Sequence, residues 1–228
     1  MRSPCFFPLT FSFPAQGRFP TIRRMSRYLW RNLTHDQRME LLEWRKNRKA
    51  PWHSPPHPAS DGHHRFHITA ACFDHQPLVG RNPARMESFS QDLLAEAHRA
   101  CSRIFSWCVL PNHYHLLLAT EDLPSLIRLL GGLHGRSSRR WNAEDVAPGR
   151  KVFFRAADRK IRSDAHFWAT MNYIHNNPVH HGYAKKWDDW PWGSAAEFLA
   201  TTQPAEVRRI WSAFPVLDYG CGWDEAGL

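Results

Sequence analysis

The chain has little cysteine chemistry. Its five cysteines (Cys5, Cys72, Cys101, Cys108, Cys221) are scattered over 228 residues, odd in number and without a Cys-x-x-Cys pair. This argues against a disulfide framework and a cysteine-based zinc site, and for a reducing cytoplasm. No apolar run approaches the ~18 residues needed to span a bilayer, so no membrane partner is expected. The glycine cluster Gly131-Gly132-Leu133-His134-Gly135 lacks the Lys-Ser/Thr of a phosphate-binding loop, which sets nucleotide hydrolysis aside. Residues 1–24 contain no acid, four arginines, four prolines and no apolar periodicity. The stretch Phe6–Phe11 is short, interrupted by Pro8 and lacks a cleavage site, so it does not read as a signal peptide. Residues 1–24 are expected to be disordered, and Met25, where ordinary composition resumes, offers an alternative start of translation.

What is abundant is positive charge and aromatic surface. The chain has 30 Lys+Arg against 21 Asp+Glu, a formal charge of +9, and 13% aromatic residues. Without residues 1–24 the balance is still 26 basic to 21 acidic residues. Cationic side chains neutralise phosphates and rings stack on exposed bases, so this composition fits a nucleic-acid binder; the alternative is a protein that is merely basic. A hydrophobic content of 43% suffices for a core. The length fits one domain with extensions.

Thr34-His35-Asp36-Gln37 is a capping box that opens a helix to about Lys49, with Met39, Leu42 and Trp44 among its apolar positions. Pro51 to Pro58 reads as a linker. His63, His64 and His67 have no cysteine or carboxylate at ligand spacing, so they are expected to face the surface or DNA. Regular patterning begins at Arg65. It gives a strand over Phe66–Phe73, a helix over Pro83–Arg103, and strands at about 105–110 and 113–120. A second helix spans Pro124–Trp141, whose basic residues Arg128, Arg136, Arg139 and Arg140 are expected to carry no acidic compensation. A short strand over Lys151–Phe154 follows, then a helix from Ser163 or Asp164 that should stop before Pro178.

The order strand–helix–strand–strand–helix–strand is that of an α+β ferredoxin-like sandwich, an antiparallel sheet with helices on one face. It makes 113–120 a central strand and sends the last helix across the sheet. The expected organisation is a disordered segment (1–24), a helical extension with linker (25–61), a main domain (62–185) and an aromatic C-terminal tail (186–228). In the tail, Trp187, Trp190 and Trp192 either stack on bases or pin the segment to the core, ahead of a short helix near Ala195–Leu199.

Two motifs carry chemistry. In Leu110-Pro111-Asn112-His113-Tyr114-His115-Leu116-Leu117-Leu118, a turn signal precedes an apolar strand, so His113 and His115 share a face about 7 Å apart. Such a pair can converge on one divalent metal. With 15 histidines in 228 residues a His-x-His triplet arises roughly once by chance, so the hairpin context gives the pair its weight. The alternative is two half-buried histidines satisfied by hydrogen bonds. In Tyr173-Ile174-His175-Asn176-Asn177-Pro178, helical spacing puts Tyr173 and Asn177 on one face together with Ala169. His175 is rotated roughly 200° from Tyr173 and falls outside that face. Phe167, Met171 and Ile174 follow core spacing.

With these two motifs the chain resembles the single-tyrosine HUH transposases, most closely the REP-associated tyrosine transposases. The resemblance covers about residues 62–199. It rests on Trp107–His115, on Tyr173–Val179 with His181-Gly182, on Phe154–Arg162 and on Trp190–Ser194. It implies that His113 and His115 bind a divalent metal, Mg²⁺ or Mn²⁺, and that Tyr173 is the nucleophile. It further implies that Asn177, one turn after the tyrosine, is the third ligand; some relatives carry glutamine there. Two neutral imidazoles and an amide leave the ion's charge undiminished and suit Mn²⁺ better than Mg²⁺. The implied activity is that of a DNA strand-transferring transposase, a metal-dependent endonuclease acting on single-stranded DNA. It cleaves and rejoins hairpin-flanked sites through a 5′-phosphotyrosine, without ATP. Arg136, Arg139, Arg140, Arg155, Arg159, Lys160 and Arg162 are the candidate backbone contacts. The expected setting is the cytoplasm, with the nucleoid, as a monomer or homodimer bound to single-stranded or hairpin DNA. Two other classes are a catalytically idle hairpin-binding protein, which the intact Tyr173 and histidine pair argue against, and an HUH replication initiator or relaxase. The latter are usually larger, with two tyrosines or a helicase domain.

Overall fold

The computed structural model describes residues 64–216, together with Thr34 and Asp36. Asp36 is helical, but the rest of the expected helix to Lys49, the linker, residues 1–24 and the chain beyond residue 216 lie outside the described residues. The described elements are β1 (His64–Ala71), α1 (Pro83–His98), β2 (Arg103–Val109), β3 (His113–Thr120), α2 (Leu123–Glu144), β4 (Ala157–Lys160), α3 (Asp164–His180), α4 (Ala195–Thr201) and α5 (Pro204–Ala213).

Local chemistry starts the helices where they start. Asn82 caps α1 by accepting from the Arg85 amide at 2.8 Å, with Pro83 in the first turn. Asp122 accepts from the Ser125 amide at 2.9 Å to cap α2, and Ser163 accepts from the His166 amide at 3.1 Å to cap α3. The four strands form one antiparallel sheet in the order β2-β3-β1-β4, the α+β ferredoxin-like arrangement expected, with β3 central. No described helix is long and apolar enough to cross a membrane.

The period-2 alternation of β3 sends its side chains into two cores. Tyr114, Leu116 and Leu118 join Phe66 and Ile68 of β1 under α1 and α2, against Met86, Phe89, Leu93, Leu126, Leu130 and Trp141. Leu117 faces the other way, with Cys108 of β2, and packs under Phe167, Met171 and Ile174 of α3. The two ferredoxin-like helices thus share one face, and α3 closes the other. All eight residues of β3 are buried, which is why this strand reads as a continuous apolar run.

Four sequence expectations are corrected. The fourth strand is Ala157–Lys160, not Lys151–Phe154. Phe153 makes only an isolated bridge to Cys72, because its ring is taken into the core, stacked on His134 at 4.3 Å between centroids and on Phe89 at 5.5 Å. The true strand is a short, charged edge strand whose polarity hides it. Helix α1 ends at His98, short of Arg103. Helix α3 runs through Pro178 to His180. A proline in the last turn loses one helical bond, and the turn is closed instead by His181 N–H to the Asn177 carbonyl (3.0 Å) and Tyr183 N–H to the Pro178 carbonyl (2.8 Å). Finally, α5 follows the expected short helix α4 and is additional to it.

The tail is pinned to the sheet. Val109 N–H donates to Trp192 O at 2.8 Å and Ser194 N–H to Trp107 O at 3.0 Å, so Trp192–Ser194 covers the exposed edge of β2. The indole N–H groups of Trp187, Trp190 and Trp192 have protein acceptors: Asn176 Oδ1, Val109 O and Glu87 Oε2 in turn.

A cluster of charges locks α1 to the end of α2. The Arg85 side chain, 5% exposed, reaches the Asp145 carboxylate, whose side chain is 4% exposed, at 2.8 Å and Glu144 at 2.6 Å, and Arg150 reaches Asp145 at 2.7 Å. The hydrogen bond from Arg85, followed by that from Arg150, holds the Asp145 carboxyl well below the usual carboxylate range. Removing the carboxylate leaves a guanidinium buried without its main counter-charge. Asp145→Ala is therefore expected to cost about 3 kcal/mol in a denaturant melt. Arg209→Ala, which breaks an exposed and solvent-screened pair with Glu206, is expected to leave the same melt unchanged.

His134 titrates against the fold. Burial pushes its pKa down to about 4, and its Nε2 lies 3.1 Å from the Tyr114 hydroxyl. The unfolded chain takes up this proton near about pH 6.5, the native state only near the lower value. Between the two the unfolded state binds more protons, so stability falls as pH drops from about 6.5 towards 4. His134→Gln, which keeps a polar partner for Tyr114 but cannot titrate, is expected to flatten the melting temperature against pH in this window.

Candidate active site

Three elements bring the site together: the start of β3, the middle of β1 and the last two turns of α3. The loop before β3 is held tightly. A Cβ on Gly80 would lie 2.4 Å from Pro111 Cβ, so only glycine lets this loop close down, and the Gly80 amide donates to Pro111 O at 2.9 Å. Cys72 N–H donates to Asn112 O at 2.6 Å, and Asn112 Nδ2 to His75 O at 3.2 Å. The turn that delivers His113 is thereby fixed on both sides.

His113 and His115 stand on the α3 face of β3, their ring centroids 4.9 Å apart. Both are buried, His113 at 1% exposure and His115 at 0%. Helix α3 lays Tyr173 and Asn177 over them, one turn apart, as the i, i+4 spacing requires. The Tyr173 ring stands edge-on to His115 at 5.2 Å, and Asn177 Oδ1 is 3.0 Å from His113 Nε2. The phenol is 5% exposed. His175, on the opposite side of the helix, lies outside this group. Its Nε2 is 3.1 Å from Ser194 Oγ among Trp187 and Phe198, and burial pushes its pKa down to about 3.

Two further histidines belong to the cluster. His67, expected at the surface or against DNA, is 2% exposed, and its Nε2 lies 3.1 Å from His115 Nδ1. Its ring is 6.0 Å from that of Tyr173. Only strand register places it there, because His67 opposes Leu117 and Thr69 opposes His115, making His67 and His115 diagonal neighbours on one face. His181 lies 5.1 Å from His113 between ring centroids. It continues the Tyr173, Asn177 spacing by four residues, a signal legible in the sequence.

His113 sits between two amide oxygens, Asn112 Oδ1 at 2.7 Å from Nδ1 and Asn177 Oδ1 at 3.0 Å from Nε2. A neutral imidazole has one N–H to give. With that proton on Nδ1 and directed at Asn112, the Nε2 lone pair faces the Asn177 oxygen. This arrangement is favourable with a cation between them, with a second proton on the ring, or with the amide turned over. Two ligands cis on an ion at about 2.1 Å would be about 3.0 Å apart. The Asn177 Nδ2 group is buried with no hydrogen-bond partner among the described residues, so the side chain is engaged through its oxygen alone. Among the described residues no group of three or more His, Cys, Asp or Glu is arranged to hold a metal. A metal here would use two imidazoles and an amide, and those donors fit one.

The seven basic residues do not form one surface. Arg136, Arg139 and Arg140 lie on α2, in the layer across the sheet from Tyr173. Arg136 pairs with Glu96 of α1, and Arg140 reaches Asp92 of α1 at 3.6 Å and Glu144, one turn on in α2, at 3.9 Å, so these two arginines do have acidic compensation, most of it from the neighbouring helix. Arg159 opposes His67 on β4 and therefore points to the α3 face, while Lys160 opposes Phe66 and points to the other. Arg162 follows the strand and donates its amide to His166 Nδ1 at 3.3 Å. Burial first, then the charges of Arg159 and Arg162, hold the His166 pKa below its ordinary value, so both arginines gather at the start of α3. Arg155 is exposed just before β4.

No protein-family model matches the chain, and no curated protein matches it. Among solved structures, the chain is similar to a REP-associated tyrosine transposase bound to a REP hairpin, with a TM-score of 0.48 and 19% identity over 60% of this chain and 80% of that one. It is also similar to a candidate transposase from Deinococcus radiodurans R1, with a TM-score of 0.34 and 16% identity over 53% of this chain and 95% of that one. At such distances the functional reading rests on the side chains themselves.

Proposed function

We propose that this protein is a metal-dependent HUH tyrosine endonuclease, a transposase that cleaves and rejoins single-stranded DNA at hairpin-flanked sites. The observation that carries the reading is the docking of α3, which sets Tyr173 and Asn177 one turn apart over the paired His113 and His115. The net charge of +9 supports a polyanionic substrate.

His113, His115 and Asn177 would hold Mg²⁺ or Mn²⁺, and the ion would draw charge off the non-bridging oxygens of the scissile phosphate. Tyr173 is the nucleophile. Its phenolic oxygen bonds to phosphorus as it loses its proton, the P–O bond to the 3′ oxygen breaks, and that oxygen takes up a proton as a free 3′-hydroxyl. The product is a 5′-phosphotyrosine. The new ester conserves the phosphodiester's bond energy, so a 3′-hydroxyl can attack it, restore the phenol and rejoin strands without ATP. With Tyr173 5% exposed, substrate entry requires the packing over the ring to open. Arg159 and Arg162, beside the start of α3, are the basic residues best placed to hold the backbone near this centre.

Incubation with a single-stranded hairpin oligonucleotide and Mn²⁺, read on a denaturing gel, tests the reading. Tyr173→Phe keeps the ring and removes the attacking oxygen, so hairpin binding should persist while covalent adduct and cleavage disappear. His113→Ala and His115→Ala should also abolish cleavage, and Asn177→Ala should be milder because water can fill a vacated position. A covalent adduct formed by the Tyr173→Phe variant would overturn the assignment.

Binding separates the two groups of arginines. Arg159→Ala should weaken hairpin binding and reduce the slope of log affinity against log salt by about one, the share of a single phosphate contact. Arg140→Ala, across the sheet and paired with acids, should leave the slope unchanged in salt-dependent fluorescence anisotropy.

A further inference from the structure

We propose that His67 is a positioning residue that holds His115 in the tautomer protonated on Nδ1, keeping the His115 Nε2 lone pair for an ion shared with His113. The inference rests on the metal site proposed above and adds a residue that neither motif contains. His115 has two ring nitrogens, and Nδ1 is engaged with His67 Nε2 at 3.1 Å. Only Nε2 can therefore ligate, and it ligates only with its lone pair free. That fixes the polarity of the contact: His115 Nδ1–H donates and His67 Nε2 accepts. The reverse polarity would put the His115 proton on Nε2 and bar it from a metal.

The setting favours one fixed arrangement. His67 is 2% exposed, so bulk water does not replace it as acceptor. The rings are 5.2 Å apart between centroids and inclined at 41°, held by adjacent central strands. The same His67 ring stands edge-on to Tyr173 at 6.0 Å, so it also forms part of the wall against which the phenol rests. Orienting partners of this kind, bonded to the far nitrogen of a ligating imidazole, commonly set ligand basicity and ring direction.

Two measurements on the full chain test the inference. The first needs no substitution. Long-range ¹⁵N–¹H correlation of the metal-free protein reports the tautomer of each histidine, and His115 should carry its proton on Nδ1; a dominant Nε2–H form overturns the proposal. The second is titration with Co²⁺, followed by visible absorption. His67→Leu keeps apolar bulk but no acceptor, and should weaken Co²⁺ binding roughly 10- to 100-fold. His67→Gln supplies an amide oxygen and should recover most of that loss. Wild-type affinity in His67→Leu, or equal losses in both variants, would overturn it. Should the wild type take up no Co²⁺, the metal reading fails, and the tautomer spectrum still decides the role of His67.

Discussion

The structure turns on a conflict inside β3. Every residue of this strand is buried, yet it carries two histidines side by side on one face. A polar ring in a low-dielectric interior is costly unless its nitrogens are engaged. The engagements come from three directions: the Asn112 side chain in the preceding turn, His67 on β1 and Asn177 on α3. None is available unless the β1–β3 register is right, the Pro111 turn is closed and α3 is docked. The site is therefore assembled by the same contacts that complete the fold.

Helix α3 reconciles packing with chemistry by dividing its circumference. Phe167, Met171 and Ile174 bind it to Leu117 and Cys108 of the sheet, while Tyr173 and Asn177, with His181 just past its end, meet the imidazoles of β3. Its hydrophobic packing sets how closely the amide and phenol approach the histidines. The far end of the helix is anchored by the Ser163 cap and lies beside Arg159 and Arg162. The other layer uses its charge differently. Arg85, Asp145 and Arg150 form an ion cluster that joins α1 to the end of α2, and Arg136 and Arg140 lie among acids of α1 and α2. Basic residues thus fall on both faces of the sheet, those of α2 beside acids and Arg159 on the α3 side.

Much of this was legible in one dimension, because it depends on local periodicity. The period of two in β3 and of about 3.6 in α3 places His113 with His115 and Tyr173 with Asn177 before any tertiary contact is known. The cap at Ser163 and the element order of a ferredoxin-like sheet are likewise local signals. The charged edge strand Ala157–Lys160 was hidden because edge pairing leaves little hydrophobic pattern, and Phe153 misled because an apolar residue fills a core equally well outside a strand. The compensation of Arg136 and Arg140 is hidden for a different reason: their partners Glu96 and Asp92 lie on α1, some forty residues earlier in the chain.

The sequence by itself determined the fold class, the central place of the histidine strand and the pairing of residues that share one strand or one helix face, since each follows from spacing along a single element. Tertiary structure decided everything that depends on two elements meeting. It brought Asn177 to His113 at 3.0 Å, turned His67 from an apparent surface residue into the partner of His115, and put Arg159 and Arg140 on opposite sides of the sheet. Periodicity fixes which way a side chain leaves its own element. Register and docking, which are non-local, fix what it finds there.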